Sequence, residues 1–157
     1  MSNNSAQETK QKDFIDQLQC SEVRMLAQAV FGPALIKMLA ISTSTDQQRV
    51  ATAPRAEEAQ RANQTVFALN TTYKKWLTAL DQAPESLIRF LASPQRVKLG
   101  AYHERLWQYF LTHSHETELI SANLKARHNN QDLGEFDLIY QHHKLGLVHC
   151  EIASKYY

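Results

Sequence analysis

The apolar positions change their period along the chain. From Asp13 onward Phe14, Ile15, Leu18, Met25, Leu26 and Ala29 recur at helical spacing. Ser21-Glu22-Val23-Arg24 reads as a second helix start, with Ser21 as its cap. Gly32-Pro33 interrupts the pattern, and Pro33 suits the first turn of a short helix ending near Ala40. Residues 42–52 are rich in Ser, Thr and Gln and read as a loop. A long helix is predicted from about residue 54 to 80, apolar along Ala59, Ala62, Val66, Leu69, Tyr73, Trp76, Leu77 and Leu80. Pro84 opens a short helix over Glu85–Leu91 that stops before Ser93-Pro94. The stretch LGAYHERLWQYFLTH, Leu99–His113, carries one apolar face of Leu99, Tyr102, Leu106, Tyr109 and Phe110.

Beyond His113 the period falls to two, which marks half-buried strands. Residues 118–127 read as a strand, with Leu119, Ile120, Ala122 and Leu124 among polar positions. NNQD, at 129–132, is a turn signal. Residues 134–140 alternate, with Phe136, Leu138 and Tyr140 on one face and Glu135 and Asp137 on the other. Residues 147–155 set Val148, Cys150 and Ile152 against His149, Glu151 and Lys155. The linker His142-His143-Lys144-Leu145-Gly146 is a hairpin loop. A turn centred on Lys144 places Asp137 opposite Glu151, with Cβ atoms roughly 5 Å apart.

Composition narrows the class. A chain of 157 residues suits one domain, or one domain with an appendage. Its 17 Lys and Arg nearly balance 16 Asp and Glu, so nucleic acid could be met only by a local patch. Cys20 and Cys150 form neither a disulfide framework nor a zinc knuckle. The N-terminal stretch MSNNSAQETKQK has no apolar signal core and reads as a frayed tail over residues 1–12. The apolar run near 30–41 is broken by Gly32, Pro33 and Lys37 and is too short to span a bilayer. A cytoplasmic protein without a membrane segment is expected. His113, His115, His142 and His143 match no zinc-enzyme spacing and read as solvated loop residues. Cys150 reads as a core residue and not as a nucleophile.

Like charges opposed across a hairpin are unfavourable, so the Asp137–Glu151 pair needs an offset. A hard divalent cation is one, with water and phosphate completing its coordination. A solvated strand face on which acids happen to alternate is the simpler alternative. Glu104, taken alone, reads as a solvated helix residue beside Arg105 and Gln108.

The order is helix, strand, strand, strand, with Glu104 in the helix, Asp137 in the second strand and Glu151 in the third. In this order LGAYHERLW, GEFDL and EIASKYY resemble an uncharacterised bacterial family of the PD-(D/E)XK, or restriction-endonuclease-like, nuclease superfamily. SEVRMLAQAV and LASPQRVKLG fit the same family. The resemblance implies an α+β or α/β fold: a helical region over 13–92, then an α-β-β-β nuclease half-core over 93–157. It implies that Asp137 and Glu151 ligate Mg²⁺ or Mn²⁺, with Glu104 supporting the metal from the helix. The usual lysine position is Ala153 here, and Lys155, two residues on, is the candidate to orient water or stabilise charge. Metal-dependent hydrolysis of DNA or RNA follows as the expected activity.

Such a core would continue with a helix and a further strand, so a fragment or shortened relative is expected. Its third strand would then carry an open edge that an oligomer might cover. The competing expectation is a non-catalytic interaction module or inactive nuclease-like protein, presenting the helix over 54–80 to a partner.

Overall fold

In the computed structural model the chain has an α+β fold. The structure describes residues 3–32, 36–40, 67–92, 98–129 and 131–152. Among them are five helices: α1 (Asn3–Asp16), α2 (Ser21–Phe31), α3 (Thr71–Gln82), α4 (Glu85–Leu91) and α5 (Leu99–His113). The strands are β1 (Ile36–Ala40), β2 (Thr117–His128), β3 (Gln131–His142) and β4 (Gly146–Ile152). Two compact units result. One holds α1 to α4 and α5 as far as Tyr109; the other holds the strands and the last turn of α5.

The helical unit buries one stripe of each helix, as the spacing predicts. Ile15 and Leu18 follow from α1, and Val23, Leu26, Ala27, Val30 and Phe31 come from α2. Tyr73, Leu77 and Leu80 of α3, Leu87 and Leu91 of α4, and Leu106, Trp107 and Tyr109 of α5 are buried as well. Aromatic rings join the elements: Phe31 meets Tyr73 at 5.1 Å and Phe90 meets Tyr109 edge-on at 5.5 Å.

Several helix ends differ from the sequence expectation, each for a local reason. α1 begins at Asn3, inside the stretch expected to fray, and the Gln11 amide donates to the Phe31 carbonyl at the end of α2. Ser21 does not cap α2; its hydroxyl donates to the Glu22 carboxylate at 2.7 Å. The capping acceptor comes from α3. Asp81 accepts from the Gln19 N–H at 2.9 Å and the Cys20 N–H at 2.8 Å, one oxygen each. That places a carboxylate at the positive end of α2. At the other end, a Cβ on Gly32 would lie 2.3 Å from the Gln28 carbonyl oxygen, so no larger residue fits without displacement.

α3 is shorter than the predicted 54–80 helix. It starts at Thr71 because the Asn70 side chain accepts from the Tyr73 N–H at 2.9 Å, and Phe67–Asn70 lie outside it. Phe67 instead packs against Trp107 at 6.0 Å. The predicted residues 54–66, and the loop over 42–52, lie outside the described residues. Arg105, the neighbour suggested for Glu104, donates to the carbonyls of Phe90 and Ala92 and so satisfies the C-terminal end of α4.

The sheet unit is built on the meander β2–β3–β4, all antiparallel. β1 adds on the far side of β4, giving the order β1-β4-β3-β2. Two expectations change here. Residues 36–40 are a strand and not the end of a short helix. The edge of β4, expected to be open, is filled by this strand, with Ile36 opposite Ile152 and Ala40 opposite Val148. A short apolar run is ambiguous in period, and a waiting ladder decided it.

Leu138, Tyr140, Val148, Cys150 and Ile152 form the buried face of the meander, and Phe110 and Leu111 are buried at the end of α5. The buried Thr117 hydroxyl donates to the Leu111 carbonyl at 3.0 Å, tying the helix end to the start of β2. Asn129, with φ +49°, makes the tight turn that NNQD predicts, between His128 and its partner Gln131.

The β3–β4 turn is centred on Lys144, as predicted, with His142 opposite Gly146, whose φ of +78° favours glycine. His142 is not the solvated loop residue expected. It is buried at 3% exposure, and its Nδ1 accepts from the N–H groups of Lys144 at 3.1 Å and Leu145 at 3.3 Å. That acceptor role requires an unprotonated Nδ1. Burial lowers the His142 pKa from 6.5, opposed by Glu116 and aided by His143 and Lys144.

Two outcomes are expected. Asp81→Ala leaves two N–H groups without their carboxylate and lowers stability by about 1–3 kcal/mol, measured as an earlier urea midpoint; Asp81→Asn loses less. The folded pKa of His142 lies below its unfolded value, so its contribution is present above about pH 6.5 and is lost as pH falls through the folded pKa. His142→Phe therefore flattens the pH dependence of the thermal midpoint between pH 7 and 5, and costs about 1–2 kcal/mol at pH 7.

Candidate functional site

The sheet unit carries two of the predicted site residues, on the adjacent strands β3 and β4. The β3–β4 register runs from His142–Gly146 through Leu138–Cys150. The predicted pair Asp137–Glu151 would be the next step, just past the end of this register. At that step the regular ladder gives way. The Ile152 N–H would meet the Phe136 carbonyl in a continued ladder; it donates instead to the Asp137 carboxylate, at 2.8 Å. Asp137 is half-buried and Glu151 is exposed.

On the other flank of β3 the pairing keeps its register, but the backbone of β2 is unusual at one residue. The β2–β3 register passes from Ala122–Leu138 to Leu124–Phe136, and Asn123 between them has φ +53°. A non-glycine residue in this region of a strand is unusual and stores strain. Phe136 departs from the predicted face as well. Its ring packs edge-on against His149 at 4.7 Å, on the side opposite Leu138 and Cys150.

The Cys150 thiol is fully buried, and its pKa is pushed up to about 12 by burial first, then by Asp137 and by Glu151. The thiol is thus neutral at physiological pH, in line with the expected core role. Glu135 stands opposite Lys125 on β2, both exposed, an opposite-charge pair separate from the Asp137 row. His149 is buried, and its Nε2 has no hydrogen-bond partner among the described residues.

Glu104 lies half-buried in α5, in the helical unit, whereas Asp137 and Glu151 belong to the sheet unit. Lys155 and Ala153 lie outside the described residues. Among the described residues no three His, Cys, Asp or Glu side chains are grouped so as to hold a metal ion. The donor chemistry present is two carboxylates. It fits a hard cation such as Mg²⁺ or Mn²⁺ that keeps several waters, and it does not fit zinc. Asp137 would offer the oxygen that the Ile152 N–H leaves free. No helix among the described residues is long and apolar enough to cross a membrane.

Sequence reasoning missed three contributors: the Ile152 N–H, the strained Asn123 and the buried His149. Only Asn123 carried a signal, since Asn is depleted in strands and tolerates positive φ.

A family model for a domain of unknown function, DUF1853, matches residues 24–157. The chain belongs to the DUF1853 family. No curated protein and no solved structure matches it. The matched DUF1853 region takes in most of α2 and every helix and strand described after it, and leaves out α1.

The environment of Cys150 is testable in the DUF1853 chain directly. Cys20 is half-exposed and donates to Glu22 at 3.3 Å, whereas Cys150 is buried. Titration of the native protein with a thiol reagent at pH 8 is expected to modify Cys20 alone, and denaturant to release the second thiol.

Proposed function

We propose that this DUF1853 chain is a metal-dependent nuclease of the PD-(D/E)XK, restriction-endonuclease-like kind. In this reading Asp137 and Glu151 hold Mg²⁺ or Mn²⁺, and the sequence resemblance gives Lys155 as the source of a positive charge. The substrate class is DNA or RNA. One observation carries the reading: two carboxylates lie on neighbouring strands where the β3–β4 register ends, with the Ile152 N–H turned to Asp137 and Asn123 on the adjoining strand at φ +53°. Strain of this kind gathers at functional sites. The antiparallel order of β2, β3 and β4 after α5 agrees with the same core. Two cysteines without a disulfide accord with a cytoplasmic location.

A bound divalent ion would polarise the scissile phosphate and acidify an attacking water. The chain's part is to hold the two carboxylates at fixed separation. The bond from the Ile152 N–H locks one oxygen of Asp137, so its second oxygen faces a set direction. Glu151, exposed on the interior strand β4, supplies the second ligand from a rigid element.

The occupied oxygen of Asp137 also favours a second reading, in which the carboxylate only closes the end of the β3–β4 ladder in a non-catalytic interaction module. Cleavage of plasmid, single-stranded DNA and RNA, with and without Mn²⁺, separates the two. The nuclease reading expects Mn²⁺-dependent cleavage that falls at least about 100-fold in Glu151→Gln and in Asp137→Asn. Calorimetry is expected to show Mn²⁺ binding lost in both variants. No cleavage and no Mn²⁺ binding by the unaltered chain would leave the module reading standing.

A further inference from the structure

The turn between β3 and β4 is held by a side chain that can change its charge. His142 ends β3, with Thr117 of β2 opposite it on one flank and Gly146 of β4 on the other. Its ring is buried, and Nδ1 accepts from two successive turn N–H groups, those of Lys144 and Leu145. The turn is fastened at a second point, where the His143 N–H donates to the Glu116 carbonyl at 3.0 Å, just before β2. A neutral ring accepts at Nδ1 only as the tautomer that carries its proton on Nε2. A second proton makes Nδ1 a donor, and three N–H groups then point at one another. Either the ring leaves that position or the turn N–H groups turn away.

A second partner for the charged ring lies close by. The titratable groups facing it are Glu116, from the segment leading into β2, and His143 and Lys144 of the turn. Its neighbours across the two ladders, Thr117 and Gly146, carry no charge. Glu116 attracts an imidazolium, whereas Lys144 and a charged His143 repel it from the turn. The neutral ring therefore suits the turn and the charged ring suits Glu116, so proton binding biases one side chain between two positions. Burial holds the ring below its ordinary pKa of 6.5, so the neutral position is filled at pH 7 and empties as pH falls.

We propose that His142 is a proton-operated latch of the β3–β4 turn. Neutral, it closes the turn through the Lys144 and Leu145 N–H groups; protonated, it releases them and moves to the Glu116 carboxylate, and the turn opens. The opening is local, because the β2–β3 ladder and the bond from the Thr117 hydroxyl to Leu111 are made by groups that do not titrate in this range. The loss of the His142 contribution in acid is thereby placed at the turn and not spread over the sheet unit. The latch does not rest on the metal-dependent reading above.

The test follows amide hydrogen exchange and the imidazole resonances of the full chain by NMR, from about pH 7.5 to about pH 4.5. With the intrinsic pH dependence of exchange divided out, the Lys144 and Leu145 amides are expected to lose at least about 10-fold in protection as the His142 ring protonates. Amides of the β2–β3 ladder are expected to keep theirs. Glu116→Gln removes the attraction and is expected to move the midpoint to lower pH; Lys144→Met removes a repulsion and is expected to move it to higher pH. His142→Asn offers an amide oxygen that can accept the same N–H groups at any pH, so the step with pH is expected to vanish. Protection of the Lys144 and Leu145 amides that stays constant while the ring titrates would overturn the latch. A ring still neutral at the lowest pH, a midpoint unmoved in Glu116→Gln, or a loss of protection shared equally by the β2–β3 ladder would overturn it as well.

Discussion

The hydrogen bond from the Ile152 N–H to the Asp137 carboxylate is the interaction on which the sheet end turns. A main-chain donor that a regular ladder would pair with a carbonyl is met by a side chain. β3 can then depart from strict alternation while the donor in β4 stays satisfied. Nearby, Phe136 packs against His149, and Asn123 has a positive φ one strand away. An acid at position 137 is needed for this, since an apolar residue there would leave the buried donor unmet. The same bond uses one carboxylate oxygen of Asp137, on the strand adjacent to that of Glu151. Structural support and candidate chemistry therefore share a residue.

Carboxylates recur as local organisers elsewhere. Asp81 closes the N-terminal end of α2 from the end of α3, joining segments sixty-odd residues apart in sequence. Its two oxygens meet two successive N–H groups, so the entry of α2 is fixed in direction as well as satisfied. Arg105 performs the converse service at the end of α4, with a guanidinium on two carbonyls. Neither residue would be singled out by hydrophobic period alone. Both act at helix ends, where the backbone has groups that the helix cannot pair.

Pattern reading located α4 and α5 to the residue and β2 and the start of β4 within one, because each has a clean period; β3 begins three residues before the predicted start, inside the predicted turn. It also set the β3–β4 register, since a turn centred on Lys144 leaves only one pairing for alternating strands. It misassigned residues 36–40, where IKMLA suits helix or strand equally, and it extended α3 through Asn70, where a side-chain cap begins the helix. It expected His142 in solvent; a buried imidazole that accepts two turn N–H groups looks identical in sequence to a loop histidine.

Sequence by itself determined the class and the placement of two acids on neighbouring strands, because alternation and turn chemistry are local properties. It also determined the stripes that build the helical core. Tertiary structure alone decided that β1 lies along β4 and that Asp81 caps α2. Each of these joins segments distant in the chain. Its stability comes from pairing two partially satisfied surfaces, a quantity that neither segment carries in its own residues.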